Sequence, residues 1–487
     1  MPLSDETLRA RFAKQFGLVL ASFPEGTAFE VAPVDAGAVP SQRFDAYPEG
    51  DPRRSLETNE PVALREDLTP GCVYEADVLL ARDAEALAEV LAVEPGAREE
   101  AGRTGGRAGV HVVRLPPAGG DGSSVREALQ RIRGRRNVPS GAVTPNHLVS
   151  ICSPNVNLCP ADEPVLPHCE FEPVVPGRAD PAPRTDTSGA GTEILVIDTG
   201  LVTDWDDPVR LKTYPWMAQG DVTAGSVASL LGNKNNEVKA GVIHTYVGHG
   251  TFIAGVARCV APEADVKVSN LLRNAGTNFE HDFATELLTL LDSLEEWPQI
   301  ISLSAGVRTL EGEALLGMET FVRELVTDRP GTLLVAAAGN HDSDEPFYPA
   351  YNALDHAPAV ISVGALDQDE FSRSEFSDFG PWVSVYARGR QLVNAFAFGS
   401  YTTVHEPSEI PYATLPAGST HRFEGMAMWS GTSFATPIVA GLVAARMSEA
   451  GETSRQAAAW LLERAAAQTV RGDRGDMRVL HARQPVR

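Results

Sequence analysis

Six short runs of almost wholly apolar sequence, rich in β-branched residues and spaced by helical patterns, constrain this chain more than any other feature. They read EILVI (193–197), ADVKVS (264–269), IISLS (300–304), TLLVAAA (332–338), AVISVGA (359–365) and WVSVYA (382–387). Between them, Phe283, Leu287, Leu290, Leu291 and Leu294 recur on one helical face, as do Leu315, Met318, Phe321, Val322 and Leu325. A strand that is apolar on both faces has to be covered on both. Strands separated by helices are joined by crossovers that make them parallel. The pattern predicts a three-layer α/β domain over 191–470, with a mostly parallel sheet between helices.

The chain is 487 residues long, enough for two or three domains, and Pro and Gly divide it. Over 70–155, VYEADVLLA precedes the helix-like DAEALAEVLAV, GVHVVRLP precedes SSVREALQRIRG, and AVTPNHLVSIC closes the unit. This β-α-β-β-α-β order predicts a small α+β, ferredoxin-like domain. Residues 1–69 form an N-terminal extension with one short amphipathic helix over about 5–16. The stretch 153–185 holds eight prolines, which predicts an exposed, extended linker over 156–190. Residues 471–487, RGDRGDMRVLHARQPVR, are a basic C-terminal tail.

Composition removes several function classes. A net charge of −24 repels phosphates and anionic lipid heads, which argues against nucleic-acid and membrane partners. No run of about 18 apolar residues exists to span a bilayer. The first residues, MPLSDETLRARFAKQFGLVLASF, lack the apolar core of a secretory signal, and five cysteines are too few for a disulfide scaffold. Together these favour the cytoplasm as the expected location. Cys152, Cys159, His168 and Cys169 supply zinc-type ligands but lack C-x-x-C pairing, so separate thiols are the expected reading. Asp204, Asp206 and Asp207 cluster without an EF-hand pattern and read as a solvated face. No cofactor and no metal site are expected.

Three segments of the α/β domain carry residues suited to nucleophilic catalysis. ILVIDTGL puts Asp198 at the carboxyl end of an apolar strand, where ligands sit in open parallel sheets. A paired-carboxylate protease would need a second such motif, and the chain has no other DTG or DSG. VGHGTFIAGVARC sets His249 between two glycines at the start of a helical run, with Gly250 permitting close backbone approach. His244, in VIHTYV, has no such setting. WSGTSFATPIVAGLVAARM puts Ser433 at the start of an apolar helix, after a tight turn at Gly431 and Thr432. A serine there can serve as an N-cap, but the same helix N-terminus favours the negative charge of an attacking alkoxide.

With DTG, HGT and SGTSxAxP around them, Asp198, His249 and Ser433 make residues 191–470 resemble the subtilisin-like serine peptidases, or subtilases, which share this Asp, His, Ser order. The resemblance implies an endopeptidase acting on peptides or proteins through a three-layer α/β fold. Ser433 would attack the scissile carbonyl and His249 would carry its proton to the leaving amine. Asp198 would hold the imidazole tautomer. In LLVAAAGNHD, Asn340 matches the family's oxyanion-hole residue. Ser304, Ala305 and Gly306 of IISLSAG match the strand that pairs with substrate, and Ala337, Ala338 and Gly339 the facing wall of the first specificity pocket.

Phe252 and Phe434 stand where the family commonly has His and Met, and are expected to be packing changes. The segments 202–248 and 389–429 are longer than usual, the second expected as a surface hairpin beside the cleft, and Cys259 is expected to pack under the His249 helix. The family also implies that the small domain is a propeptide-like intramolecular inhibitor, with AVTPNHLVSIC laid through the cleft. Two alternatives stand beside this reading. A sedolisin-like carboxyl peptidase shares SGTS but uses Glu as base and Asp in place of Asn340. A catalytically silent protein would bind peptides in the same cleft.

Overall fold

The computed structural model describes residues 5–34, 39–54, 60–103, 106–117, 124–135, 138–151, 162–167, 178–218, 227–230, 238–273, 275–405 and 416–486. The first helix, α1 (Asp5–Ser22), runs past the expected end at residue 16 because Leu18, Val19 and Leu20 continue its buried side. Gly17 permits this: a Cβ there would lie 2.4 Å from the Glu60 carbonyl oxygen. Then come β1 (Ala28–Pro33), β2 (Gln42–Asp45), β3 (Pro70–Ala81), α2 (Ala84–Val93), β4 (Arg98–Glu99), β5 (His111–Arg114), α3 (Ser124–Arg133) and β6 (Val143–Ser150). All their pairings are antiparallel, with β6 on one side of β3. On the other side the first half of β3 pairs with β1 and the second half with β5.

Residues 1–69, expected as an N-terminal extension, add β1 and β2 to this sheet. A twelve-residue strand has more edge than β5 can cover, and β1 satisfies the remaining backbone groups. Phe12, Phe16 and Phe29 share a core cluster with Val73, Val78 and Leu80.

The α/β domain holds β7 (Glu193–Ile197), β8 (Val227–Leu230), β9 (Val242–Ile243), α4 (His249–Val260), β10 (Asp265–Ser269), β11 (Thr277–Phe279) and α5 (Glu280–Asp292). It continues through β12 (Ile300–Leu303), α6 (Glu319–Thr327), β13 (Leu333–Ala337), α7 (Ala353–His356), β14 (Val360–Leu366), β15 (Val385–Arg388), β16 (Leu392–Thr402), β17 (Thr420–Trp429), α8 (Thr432–Ala450) and α9 (Ser454–Ala466). The central sheet has the order β15-β14-β13-β12-β7-β10-β8 and is parallel throughout. All six runs predicted from sequence are its strands. Alternate residues feed opposite layers: Ile194 and Val196 join the core with α4 and α8, while Leu195 and Ile197 join that with α5 and the N-terminal unit. Helix α6 starts four residues after Leu315, which is buried in the turn leading to it.

Two further expectations change. The hairpin of β16 and β17 exists, but β16 is buried from Leu392 to Ala397 and packs on α4, so it is a wall of the domain and not a surface flap. Nor are the described parts of 156–190 exposed throughout. Asp162, Glu163 and Val165 are buried, Val165 bridges Met428, and Asp180 bridges Val393. The prolines prevent helix, but extended backbone can still pair with a sheet edge. At the other end, β18 (Thr469–Gly472) and β19 (Gly475–Arg478) form a hairpin, Val479 bridges Tyr386 and Leu480 is buried, so the basic tail folds back onto the domain.

Candidate active site

In the central sheet the chain fills one side of β7 with β8 and β10 and then crosses to the other side for β12 to β15, and ligand crevices form at the carboxyl ends of strands where the order reverses. Asp198 follows β7, Ser304 follows β12, and Asn340 follows β13, so three adjacent strands deliver three of the expected residues to one edge. Helix α4 begins at His249 and α8 carries Ser433 in its first turn. Gly250 meets its expected need: a Cβ there would lie 2.4 Å from the Gly200 carbonyl oxygen. Gly248 caps α4 at φ 94°, and a Cβ would strike Phe396 at 2.6 Å.

His249 Nδ1 donates to the Asp198 carboxylate, 2.9 Å from each oxygen, and both side chains are fully buried. Asp198 Oδ1 also accepts from Thr199 N at 2.8 Å and Oγ1 at 3.1 Å. The imidazole sits among Trp429 and Phe434, ring centroids 5.5 and 5.2 Å away, and Phe252 packs on both aromatics. The two residues that depart from the family pattern thus line the histidine's apolar surroundings. Trp429 was missed in the sequence, although it sits directly before the SGTS motif.

One small pocket gathers Ser304, Ala305, Ala337, Gly339, Asn340, Thr432 and Ser433, with Ile151, His341 and Phe347 completing its wall. Asn340 Oδ1 accepts from Thr432 N and Thr432 Oγ1, both at 2.9 Å, which turns its Nδ2 away from that anchor. Ser304 Oγ donates to the Ser433 carbonyl at 2.9 Å. Ala338 is fully buried and lies outside the pocket lining, since neighbours in a strand face opposite sides. Gly306 does not line the pocket either but pairs beside it.

That pairing comes from the chain itself. Gly306 N donates to Ser150 O at 2.9 Å and Ser150 N to Gly306 O at 3.1 Å, while Ile151 N donates to Gly276 O at 2.9 Å. On its other edge β6 pairs antiparallel with β11, Ser150 opposite Thr277. The N-terminal sheet therefore runs into the α/β domain, with its last strand held between β11 and Gly306. Arginines of the N-terminal unit meet acids on α5 and α6: Arg103 with Asp282 at 3.1 Å, Arg107 with Asp292 and Glu324 at 2.6 Å each, and Arg82 with Glu319 at 2.7 Å. Beneath them His147 Nδ1 donates to Glu280 at 2.9 Å, both fully buried, while His147 Nε2 accepts from Leu310 N at 3.0 Å.

Cys259 lies in α4 and is buried, as is Cys72, and burial pushes both thiols up to about 12. Cys152, Cys159, His168 and Cys169 lie outside the described residues. Among the described residues no group of three His, Cys, Asp or Glu side chains could hold a metal ion, and no helix is long and apolar enough to cross a membrane.

A buried carboxylate–imidazole pair, with a serine at a helix N-terminus beside the carboxyl ends of a parallel sheet, has the form of a serine hydrolase site. The subtilase family model matches residues 189–482, more than half of the chain, and the chain belongs to that family of serine peptidases. It is 29% identical over 283 residues to the intracellular serine protease of Paenibacillus polymyxa, covering 54% of this chain and 69% of that protein. Thermitase of Thermoactinomyces vulgaris is 26% identical over 271 residues, covering 56% and 80%. A solved structure of a cold adapted subtilisin-like serine proteinase is 21% identical, covering 61% of this chain and 90% of that one with a TM-score of 0.41.

Proposed function

We propose that this chain is a serine endopeptidase restrained by its own N-terminal region. Ser433 is the nucleophile, His249 its general base and then the acid for the leaving amine, and Asp198 the group that holds the imidazole tautomer and stabilises the imidazolium. Asn340 Nδ2 and the Ser433 N–H are the oxyanion donors. Ser304, Ala305 and Gly306 take the substrate main chain by strand addition, facing the wall of Ala337 and Gly339, with Ala338 buried behind it. One observation carries the reading: the pocket that gathers Ser433 and Asn340 also receives Ile151, from a strand hydrogen-bonded to Gly306 as a substrate would be.

The N-terminal strand order, β6-β3-β5-β4 with helices after β3 and β5, is that of a ferredoxin-like unit, which supports its role as a propeptide-like inhibitor. A cytoplasmic location is supported by the relative named as an intracellular protease.

The test is labelling by a fluorophosphonate probe and cleavage of peptide substrates, by wild-type and Ser433→Ala protein. Labelling and cleavage by wild type alone are expected. A folded wild type that neither labels nor cleaves, even after removal of residues 1–151, would favour the silent peptide-binding alternative.

A further inference from the structure

At the residue immediately after the oxyanion candidate, a second buried carboxylate–imidazole pair meets the same pocket. His341 Nδ1 donates to Asp378 Oδ2 at 2.8 Å, with side-chain exposures of 2% and 0%. Asp378 Oδ1 accepts from the backbone N–H groups of His341, at 2.8 Å, and Ser343, at 3.1 Å. A carboxylate only accepts, so the shared proton belongs to Nδ1 and the ring's tautomer is set. Gly339 makes the pair possible: at φ 110°, a Cβ there would stand 2.3 Å from Asp378 Oδ2.

The other nitrogen, Nε2, is buried without a hydrogen-bond partner, although His341 lines the pocket and its ring packs beside that of Phe347, centroids 5.3 Å apart. An unpaired buried acceptor is costly, and such groups in native structures call for a reason. Burial pushes the imidazole below its ordinary value and nearby Arg308 does the same, while Asp378 and Glu345 oppose them. The ring is neutral at neutral pH, so Nε2 presents a lone pair. Ala305, Ala337 and Gly339 share the pocket lining with His341, and none of them supplies a charge.

We propose that His341, positioned by Asp378, is the specificity-determining residue for the substrate side chain immediately before the scissile bond (P1), and that it selects uncharged side chains ending in a hydrogen-bond donor. Glutamine, asparagine, serine and cysteine belong to this class. Leucine, methionine and glutamate do not. The inference rests on the peptidase reading above and names the substrate class of that site. A pocket built around a polar group rejects a near-isostere that leaves the group unpaired.

The experiment compares kcat/KM for peptides that differ only at P1, glutamine against methionine, on wild-type, His341→Phe and Asp378→Asn proteins. Wild type should prefer glutamine by about tenfold or more, as one well-placed hydrogen bond allows. His341→Phe keeps a ring of similar size but no acceptor, so its ratio should fall towards one. Asp378→Asn offers an amide N–H to Nδ1, which moves the ring proton to Nε2. That variant should gain activity on a P1 glutamate γ-methyl ester, an acceptor without a donor, relative to glutamine. A merely structural role for the pair would not reverse this preference. Peptide cleavage in which methionine equals glutamine, or a glutamine preference that survives His341→Phe, overturns the proposal alone. Absence of both cleavage and fluorophosphonate labelling overturns the peptidase reading and this proposal with it.

Discussion

Replacing Asn340 separates an anchoring contact from a catalytic one. Its Oδ1 accepts two bonds from Thr432, each 2.9 Å, at the first residue of the helix that carries Ser433. Asn340→Ala removes the oxyanion donor together with that anchor. Loss of one such donor lowers kcat by about 10²–10³, or about 2.7–4 kcal/mol, a magnitude known from subtilisin itself. Leaving the buried Thr432 N–H and hydroxyl without an acceptor costs a further ~1–3 kcal/mol of stability for each group. Asn340→Asp keeps an acceptor for Thr432 but puts a negative oxygen where the Nδ2 donor stood. It should retain more of the thermal stability while losing at least as much kcat as Asn340→Ala. The assay is steady-state peptide hydrolysis on protein shown to be folded by its thermal transition, with KM expected to change little because the donor acts mainly on the transition state. If Asn340→Asp keeps kcat within about tenfold of wild type, or if only KM changes, Asn340 is not the oxyanion donor.

The remaining expectations follow from how the N-terminal region is held. Ile151 is seated in the cleft and Asp162 is buried in the α/β domain, so self-cleavage should fall between these two residues and Ser433→Ala should stay full length, as intact mass will show; a wild-type cut beyond Asp162 would contradict this. In the Ser433→Ala background, Glu280→Ala strips the partner from His147 Nδ1 and Gly317 N, at ~1–3 kcal/mol per buried donor, so β6 amides should exchange about 5–150-fold faster for each; unchanged exchange would show that this pair does not hold the strand. Burial pushes Asp162 up to about 7 despite its bond from Ser430 N. A carboxyl raised in the folded state stabilises fully below its unfolded value near 4 and loses that contribution as pH rises to about 7. Asp162→Asn should therefore raise the melting temperature of the Ser433→Ala chain at pH 8 far more than at pH 4.5, and equal effects at both would refute the shift.

The sequence by itself determined the parallel sheet and the three motif-bearing segments, because each is written in contiguous residues. Continuous apolar runs such as EILVI have few ways to be buried, and SGTSFATP carries its own turn, helix start and nucleophile position. Gly250 is legible beside His249 as a point of close approach, but what approaches it, the Gly200 carbonyl oxygen, comes from a distant segment. Partnerships between distant segments had no such local signature. Pairing of β1 with β3 joined residues 1–69 to the small domain, and the pairing of Val165 with Met428 buried a stretch whose prolines read as exposed linker. His341 reads as an ordinary loop residue until Asp378, thirty-seven positions later, fixes its ring. Only the tertiary structure decided that Ser150 lies between β11 and Gly306, because backbone hydrogen bonds are available to any extended segment and the fold alone selects which one arrives.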